Sequence, residues 1–299
     1  MFKSLFEDIK FSFRSGNMIT RLIIINVFIS LVFIIVKSLL GGNPGLQSSF
    51  VQFLAIPGNP LSLLLKPWTF ISHMFIHNGI WHLLWNMLFL YWFGRIVGDM
   101  IGDHRILPIF IMGGLVGAIA YIFSYQLFQG IGSYALGASA AVMAIVVSAG
   151  ARAPDYVMRL IIIGDVKLKY IVFFVIILDI IGVAGSSNTG GHIAHLGGAA
   201  FGLLFVRQLR EGVDLTQPLD QLLKRMNRFF SNLKGGKPRS NLNVKYRSKF
   251  KKENSKTGSK SEDLPFQDKL DMILDKIKES GYESLTEEEK EFLFLASKK

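Results

Sequence analysis

Six stretches of this chain, at residues 19–40, 79–97, 106–128, 139–150, 169–184 and 191–206, are apolar almost without interruption. About 20 mostly apolar residues in helical form cross a bilayer core, because backbone in hydrocarbon must satisfy its own hydrogen bonds. The pattern predicts an all-α polytopic membrane protein with six transmembrane helices. Half of the 299 residues are hydrophobic and only 18% are charged, which excludes an ordinary soluble globule. The chain has no cysteine, so disulfides, thiolate metal sites and cysteine nucleophiles are excluded together. The fourth stretch is short for a full crossing. A helix starting at Ser139 begins below the membrane surface and leaves room for a water-filled cavity above it.

Charge sets the expected orientation. Lys10, Arg14 and Arg21 precede the first stretch, Arg95 and Arg105 flank the loop after the second, and Arg152, Arg159, Lys167 and Lys169 lie between the fourth and fifth. Loops rich in Lys and Arg stay on the cytoplasmic side. The loops at 129–137 and 185–190 carry no charge, so both termini are expected in the cytoplasm. The amphipathic segment 1–18 is followed by no small-residue cleavage site, and 19–40 reads as a spanning helix rather than a removed signal. Residues 41–67, with Pro57, Pro60 and Pro67, fall on the outer side as a lid or membrane-embedded hairpin.

The last third differs. Between Lys224 and Lys260 there are 13 Lys or Arg against a single acid, Glu253. With no interleaved aromatic pattern for reading bases, residues 211–263 read as a basic flexible linker that touches anionic lipid headgroups, not nucleic acid. Residues 264–299 regain order. Leu270, Ile273, Leu274 and Ile277 repeat at helical spacing, Gly281 can end that helix, and Ser284 with Glu287 forms a capping box for a second one. This is a small cytoplasmic helical hairpin, expected to dock on a partner.

Polar side chains inside apolar spans mark function by default, because hydrocarbon penalises them. His82 and Asn86 are four apart, hence one turn apart on one helix face. Two neutral donors facing a cavity suit a developing oxyanion, and the same pair also suits interhelical packing. Ser139 opens its stretch among small residues, where a serine serves as N-cap or as nucleophile beside free helix-start amides. Gly198 and Gly202 form a G-x-x-x-G face that admits close helix approach, with Ala140 and Ala144 as a suitable partner face. That approach brings His195 toward Ser139, and serine with imidazole is the minimum for an activated oxygen nucleophile. His192, one turn earlier, competes for the base role. Asp179, the one acid deep in the apolar stretches, receives no role. The histidines could cluster on a metal, but H-E-x-x-H is absent and no Asp or Glu accompanies His73, His77 and His82.

The combination H-x-x-x-H-x-x-x-x-H-x-x-x-N (His73 to Asn86), G-x-S (Gly137 to Ser139) and A-H-x-x-G-x-x-x-G (Ala194 to Gly202) resembles the rhomboid intramembrane serine proteases. The resemblance covers residues 19–210 and implies a six-helix rhomboid fold whose Ser139 is the nucleophile and His195 the base and acid of a dyad. It further implies that His82, Asn86 and the Ser139 amide form the oxyanion site, that Trp68 belongs to the outer loop, and that substrates are transmembrane segments of other membrane proteins. No metal or cofactor is expected. Ala140, Met143 and Thr69 depart from residues common in the family. The alternative is a catalytically inactive, rhomboid-like binder of membrane helices. His77 falls outside the reacting group, as a structural or entrance residue. If the source is bacterial, the chain belongs in the inner membrane.

Overall fold

A computed structural model of the chain describes residues 2–128, 130–160, 163–185, 188–233 and 266–296. In order, the first unit carries α1 (Phe2–Ser15), α2 (Met18–Leu39), α3 (Pro44–Leu54), β1 (Ile56–Pro57), α4 (Pro60–Leu65), α5 (Thr69–Ser72), α6 (Ile80–Ile101), α7 (Ile106–Leu127), β2 (Tyr134–Ala135), α8 (Ser139–Arg152), β3 (Val157–Leu160), β4 (Gly164–Lys167), α9 (Leu168–Ala184), α10 (Thr189–Arg210) and α11 (Gln217–Leu233). Each apolar stretch is a helix, with ends that follow local chemistry. Asn17 caps α2 by accepting the Thr20 amide at 2.9 Å, and both Asp103 oxygens accept the Met18 amide at 3.0 Å. In the segment 41–67, Asn43-Pro44 and Asn59-Pro60 start α3 and α4 with an asparagine cap and a proline in the first turn.

Burial is inverted relative to a soluble bundle. Phe28, Ile35, Phe173, Phe174 and Ile181 face outward, whereas Asn26, Ser30, His77 and Asp179 are buried. Apolar outer faces of this extent meet hydrocarbon, so the chain is an integral membrane protein. Among the described residues, three helical segments are long and apolar enough to cross a membrane by length and composition: Met18–Gly42, Asp103–Leu127 and Thr189–Arg210. The shorter α8 is buried continuously from Ala140 to Gly150 and forms the centre of the bundle.

Small residues set the closest approach. A Cβ added to Gly198 would lie 2.0 Å from the Ala140 carbonyl oxygen, and one on Gly202 would lie 2.3 Å from that of Ala144. On α7, a Cβ on Gly113 or Gly117 would overlap the methyl of Ala144 or Ala140, at 2.3 and 2.4 Å. Thus α7 and α10 both press onto α8 at Ala140 and Ala144. Without a hydrophobic drive between helices in lipid, such close van der Waals contact is what holds them together.

The segment 41–67 is largely helical. Val51 and Ala55 pack with Phe33 and Ile76, Ile56 packs with Ala118 and Tyr121, and β1 pairs antiparallel with β2 through Ile56↔Ala135 and Pro57↔Tyr134. Trp68 donates its indole N–H to the Phe53 carbonyl at 2.7 Å. After α10, Asp214 accepts from Arg105 Nε at 2.8 Å and ties this turn to the α6–α7 connection. Partial burial raises the Asp214 carboxyl, but hydrogen bonds from Thr216 and Arg105 outweigh it and hold the group below its ordinary range.

Two expectations change in the last third. The stretch read as a linker from 211 begins as helix α11, because Leu219, Leu222, Leu223 and Met226 recur at helical spacing and Lys224 pairs with Asp220 four residues earlier at 2.5 Å. Its remainder, 234–263, lies outside the described residues. In the second unit, α12 (Phe266–Ser280) ends at Gly281, whose φ of +78° suits glycine, and α13 (Glu287–Ala296) follows. The capping box is Thr286 with Glu289, not Ser284 with Glu287: Glu289 accepts the Thr286 amide at 2.8 Å and donates its own to the Thr286 hydroxyl at 3.3 Å. Both pairs have the required spacing, but Lys276 holds Glu289 at 2.7 Å and fixes the choice.

Candidate active site

The connection from α7 to α8 is held from below by two histidines. The Gly137 amide donates to the His73 carbonyl at 2.9 Å, and the Ala138 amide donates to His77 Nε2 at 3.3 Å. An Nε2 that accepts leaves the proton on Nδ1, which meets Ser30 Oγ at 2.7 Å, and Ser30 in turn donates to the Phe75 carbonyl at 2.9 Å. The fully buried His77 is therefore a structural anchor. His73 is likewise buried, and its Nδ1 lies 2.7 Å from the carbonyl of Thr69, whose hydroxyl donates to Lys66. Gly137 has φ of +127°, and a Cβ there would lie 2.9 Å from His82 Nε2, so conformation and space both demand glycine.

Ser139 is the first residue of α8. Its cap position is Ala138, which makes no side-chain capping bond, so the hydroxyl is not spent on starting the helix. Instead Ser139 Oγ stands 2.6 Å from His195 Nε2. The helix ladder begins with the Val142 amide on the Ala138 carbonyl at 2.9 Å, leaving the preceding first-turn amides as donors for an anion.

A cavity of about 300 Å³ opens beside this pair, lined by Ser139, His195, His82, Asn86, His192 and Asp179, with Trp85, Phe89, Val142, Met143, Val175 and Leu178 as apolar walls. All four residues singled out in the sequence thus line one space. His82 packs edge-on against His77, ring centres 5.0 Å apart, and Asn86 spends one amide hydrogen on the His82 carbonyl at 2.8 Å, leaving the other available. Met143 forms part of the wall, and the methyl of Ala140 is directed at Gly117 on α7. A larger groove of about 790 Å³, between α6 and the β3–β4 hairpin, includes Arg95, Asp99 and Arg159 but none of this cluster.

His192 does not reach Ser139. Its Nδ1 lies 2.8 Å from Asp179 Oδ1, and the same oxygen lies 2.8 Å from His195 Nδ1. Asp179, to which the sequence reading assigned no role, thus stands beside His195. The signal was available: α9 and α10 form an antiparallel pair, so residues equidistant from their connection sit at one depth, and Asp179 and His195 are 16 apart about that turn. Asp179, His192 and His195 are also the described residues whose ligand atoms, within 4.8 Å of one another, could hold a metal ion. In the present arrangement both Nδ1 atoms meet the carboxylate and His195 Nε2 meets Ser139.

The rhomboid domain family model matches residues 65–211, and a family of unknown function, DUF6576, matches residues 265–299. RHOMBOID-like protein 12, mitochondrial, of Arabidopsis thaliana is 30% identical over 158 residues, 48% of this chain and 47% of that protein. Rhomboid protease GlpG of Klebsiella pneumoniae is 29% identical over 181 residues, 59% of each. Presenilin-associated rhomboid-like protein A, mitochondrial, of Danio rerio is 24% identical over 166 residues, 54% of this chain and 42% of that protein. The chain spans about half the length of the curated relatives it matches.

Proposed function

Because this chain belongs to the rhomboid family, we propose that it is an intramembrane serine endopeptidase that cleaves transmembrane segments of other membrane proteins with Ser139 and His195. The observation that carries this reading is the 2.6 Å contact between Ser139 Oγ and His195 Nε2 at the wall of an open cavity between α6, α8, α9 and α10. As Oγ attacks the scissile carbonyl carbon, its proton passes to Nε2. The tetrahedral oxyanion is met by His82, Asn86 and the first amides of α8. Collapse expels the amine, which takes the proton from Nε2, and leaves an acyl group on Oγ. Water then repeats the sequence with the same base and frees the serine. Residues that break helices in the substrate let its backbone unwind into the cavity.

In this reading α2, α6, α7, α8, α9 and α10 are the six crossings of a protease domain at 19–210, and both termini lie on the cytoplasmic side. The basic stretch meets anionic headgroups there and leads to the terminal hairpin. In a bacterium the membrane would be the inner one; two of the relatives above are named as mitochondrial. The test is cleavage of a single-span model substrate by the full chain in liposomes. Wild type is expected to cut, and Ser139→Ala and His195→Ala are expected not to. Equal cleavage by all three sinks the dyad. Substrate capture without cleavage by wild type would favour the inactive binder instead.

A further inference from the structure

Asp179 is one of the most unusual residues in this membrane protein: an acid 5% exposed, in the part of α9 that is otherwise apolar from Ile171 to Ala184. We propose that Asp179 is a positioning residue for the general base, locking His195 in the tautomer that carries its proton on Nδ1 and presents a bare Nε2 to Ser139, while His192 holds the carboxylate in place. The proposal rests on the serine-protease reading above.

A neutral imidazole has one N–H and one bare nitrogen. With a carboxylate oxygen 2.8 Å from Nδ1, the proton belongs on Nδ1, because the other tautomer would set a nitrogen lone pair against a carboxylate lone pair. That choice leaves Nε2 able only to accept, and the atom 2.6 Å away is the Ser139 hydroxyl. The opposite tautomer would donate to Ser139 and could not take its proton. When that proton moves to Nε2, the ring becomes an imidazolium with one N–H on the carboxylate and the other directed at the leaving amine. Asp179 stays ionised throughout and opposes the new positive charge where little water can.

His192 turns a single contact into a fixed one. Its Nδ1 donates to the same Oδ1 at 2.8 Å from one turn earlier on α10, so the carboxylate bridges two consecutive turns. The facing helix is shaped for this. A Cβ on Gly182, three residues after Asp179, would lie 2.5 Å from His192 Nε2, so α9 supplies both the acceptor and the space for the second ring. An acid serving only to glue two helices would need His192 alone. The bond to the Nδ1 of the residue that faces Ser139 adds a chemical consequence.

The experiment uses the full chain with ¹⁵N-labelled histidine in lipid bicelles, read by NMR beside steady-state cleavage of the single-span substrate. In wild type, His195 is expected protonated at Nδ1 and bare at Nε2, a result that requires no variant to fold. Asp179→Asn is expected to move proton density onto Nε2 and to lower kcat by about 10² to 10⁴-fold, with KM changed less than about twofold. Asp179→Glu is expected to restore part of kcat and the wild-type tautomer together. A wild-type His195 protonated at Nε2, or an Asp179→Asn variant with unchanged tautomer and kcat, overturns the positioning role and leaves the protease reading intact. Wild-type cleavage independent of Ser139 overturns the protease reading itself, and with it this proposal.

Discussion

Helix α10 meets its two neighbours in opposite ways. Against α8 the contact is one of shape: Gly198 and Gly202 lie on the carbonyls of Ala140 and Ala144, with no room for a methyl. Against α9 it is one of charge, with a single carboxylate oxygen of Asp179 holding two imidazoles from α10. The first fixes how far His195 stands from Ser139, and the second fixes how its ring is turned. A membrane interior suits this division, because lipid gives no hydrophobic reward for helix pairing and magnifies every unpaired polar group.

The shape contact should break hardest. Gly198→Val places a carbon where only 2.0 Å separates it from a carbonyl, and relieving it moves α10 by more than about 1 Å. Displacements of that size cost about 10²-fold or more in turnover, and overpacking removes about 1–3 kcal/mol of stability. Cleavage rate and thermal unfolding of the purified protein measure the two. Next is the helix that touches neither contact. His82→Ala on α6 removes one proposed oxyanion donor and is expected to lower kcat about 10² to 10³-fold with His195 undisturbed, whereas full activity would return His82 to packing alone. Gly202→Ala, one turn further from the serine, should lose stability in the same 1–3 kcal/mol range but keep most of its kcat.

The smallest effect concerns pH outside the bundle. Asp214 is held below its ordinary carboxylate range, so the stabilisation it gives is complete above the unfolded value and is lost as pH falls through the lowered one. Acidification from neutrality should leave the Arg105–Asp214 link intact until the solution is more acidic than an ordinary aspartate would require. Thermal stability as a function of pH, compared with Asp214→Asn, reads this, and two identical profiles would show that the link contributes nothing.

The apolar helices α2 and α6 to α10 were legible to within a few residues because hydrocarbon demands uninterrupted apolar residues, and Ser139 stands at the start of α8 as its small-residue context implied. The G-x-x-x-G face was legible for the same reason, since few other roles use that spacing. Asp179 was missed, because its meaning comes from a residue on the next helix and has to be read from their symmetric spacing about the α9–α10 connection rather than from any local pattern. His77 was already set outside the reacting group as a structural or entrance residue, but its two bonds, to Ser30 and to the Ala138 amide, depend on folded neighbours that the motif does not name. The helix at 217–233 was hidden by charge, whose density suggested solvation while the leucine spacing already specified an amphipathic face.

We propose that Ser139 is a nucleophile activated by His195. Its most direct test is reaction of the full chain in bicelles with a fluorophosphonate, followed by mass spectrometry of the labelled peptide. A single adduct on Ser139 that disappears in His195→Ala is expected. An unlabelled Ser139 in the folded wild type, or an adduct that forms equally fast without His195, would contradict it.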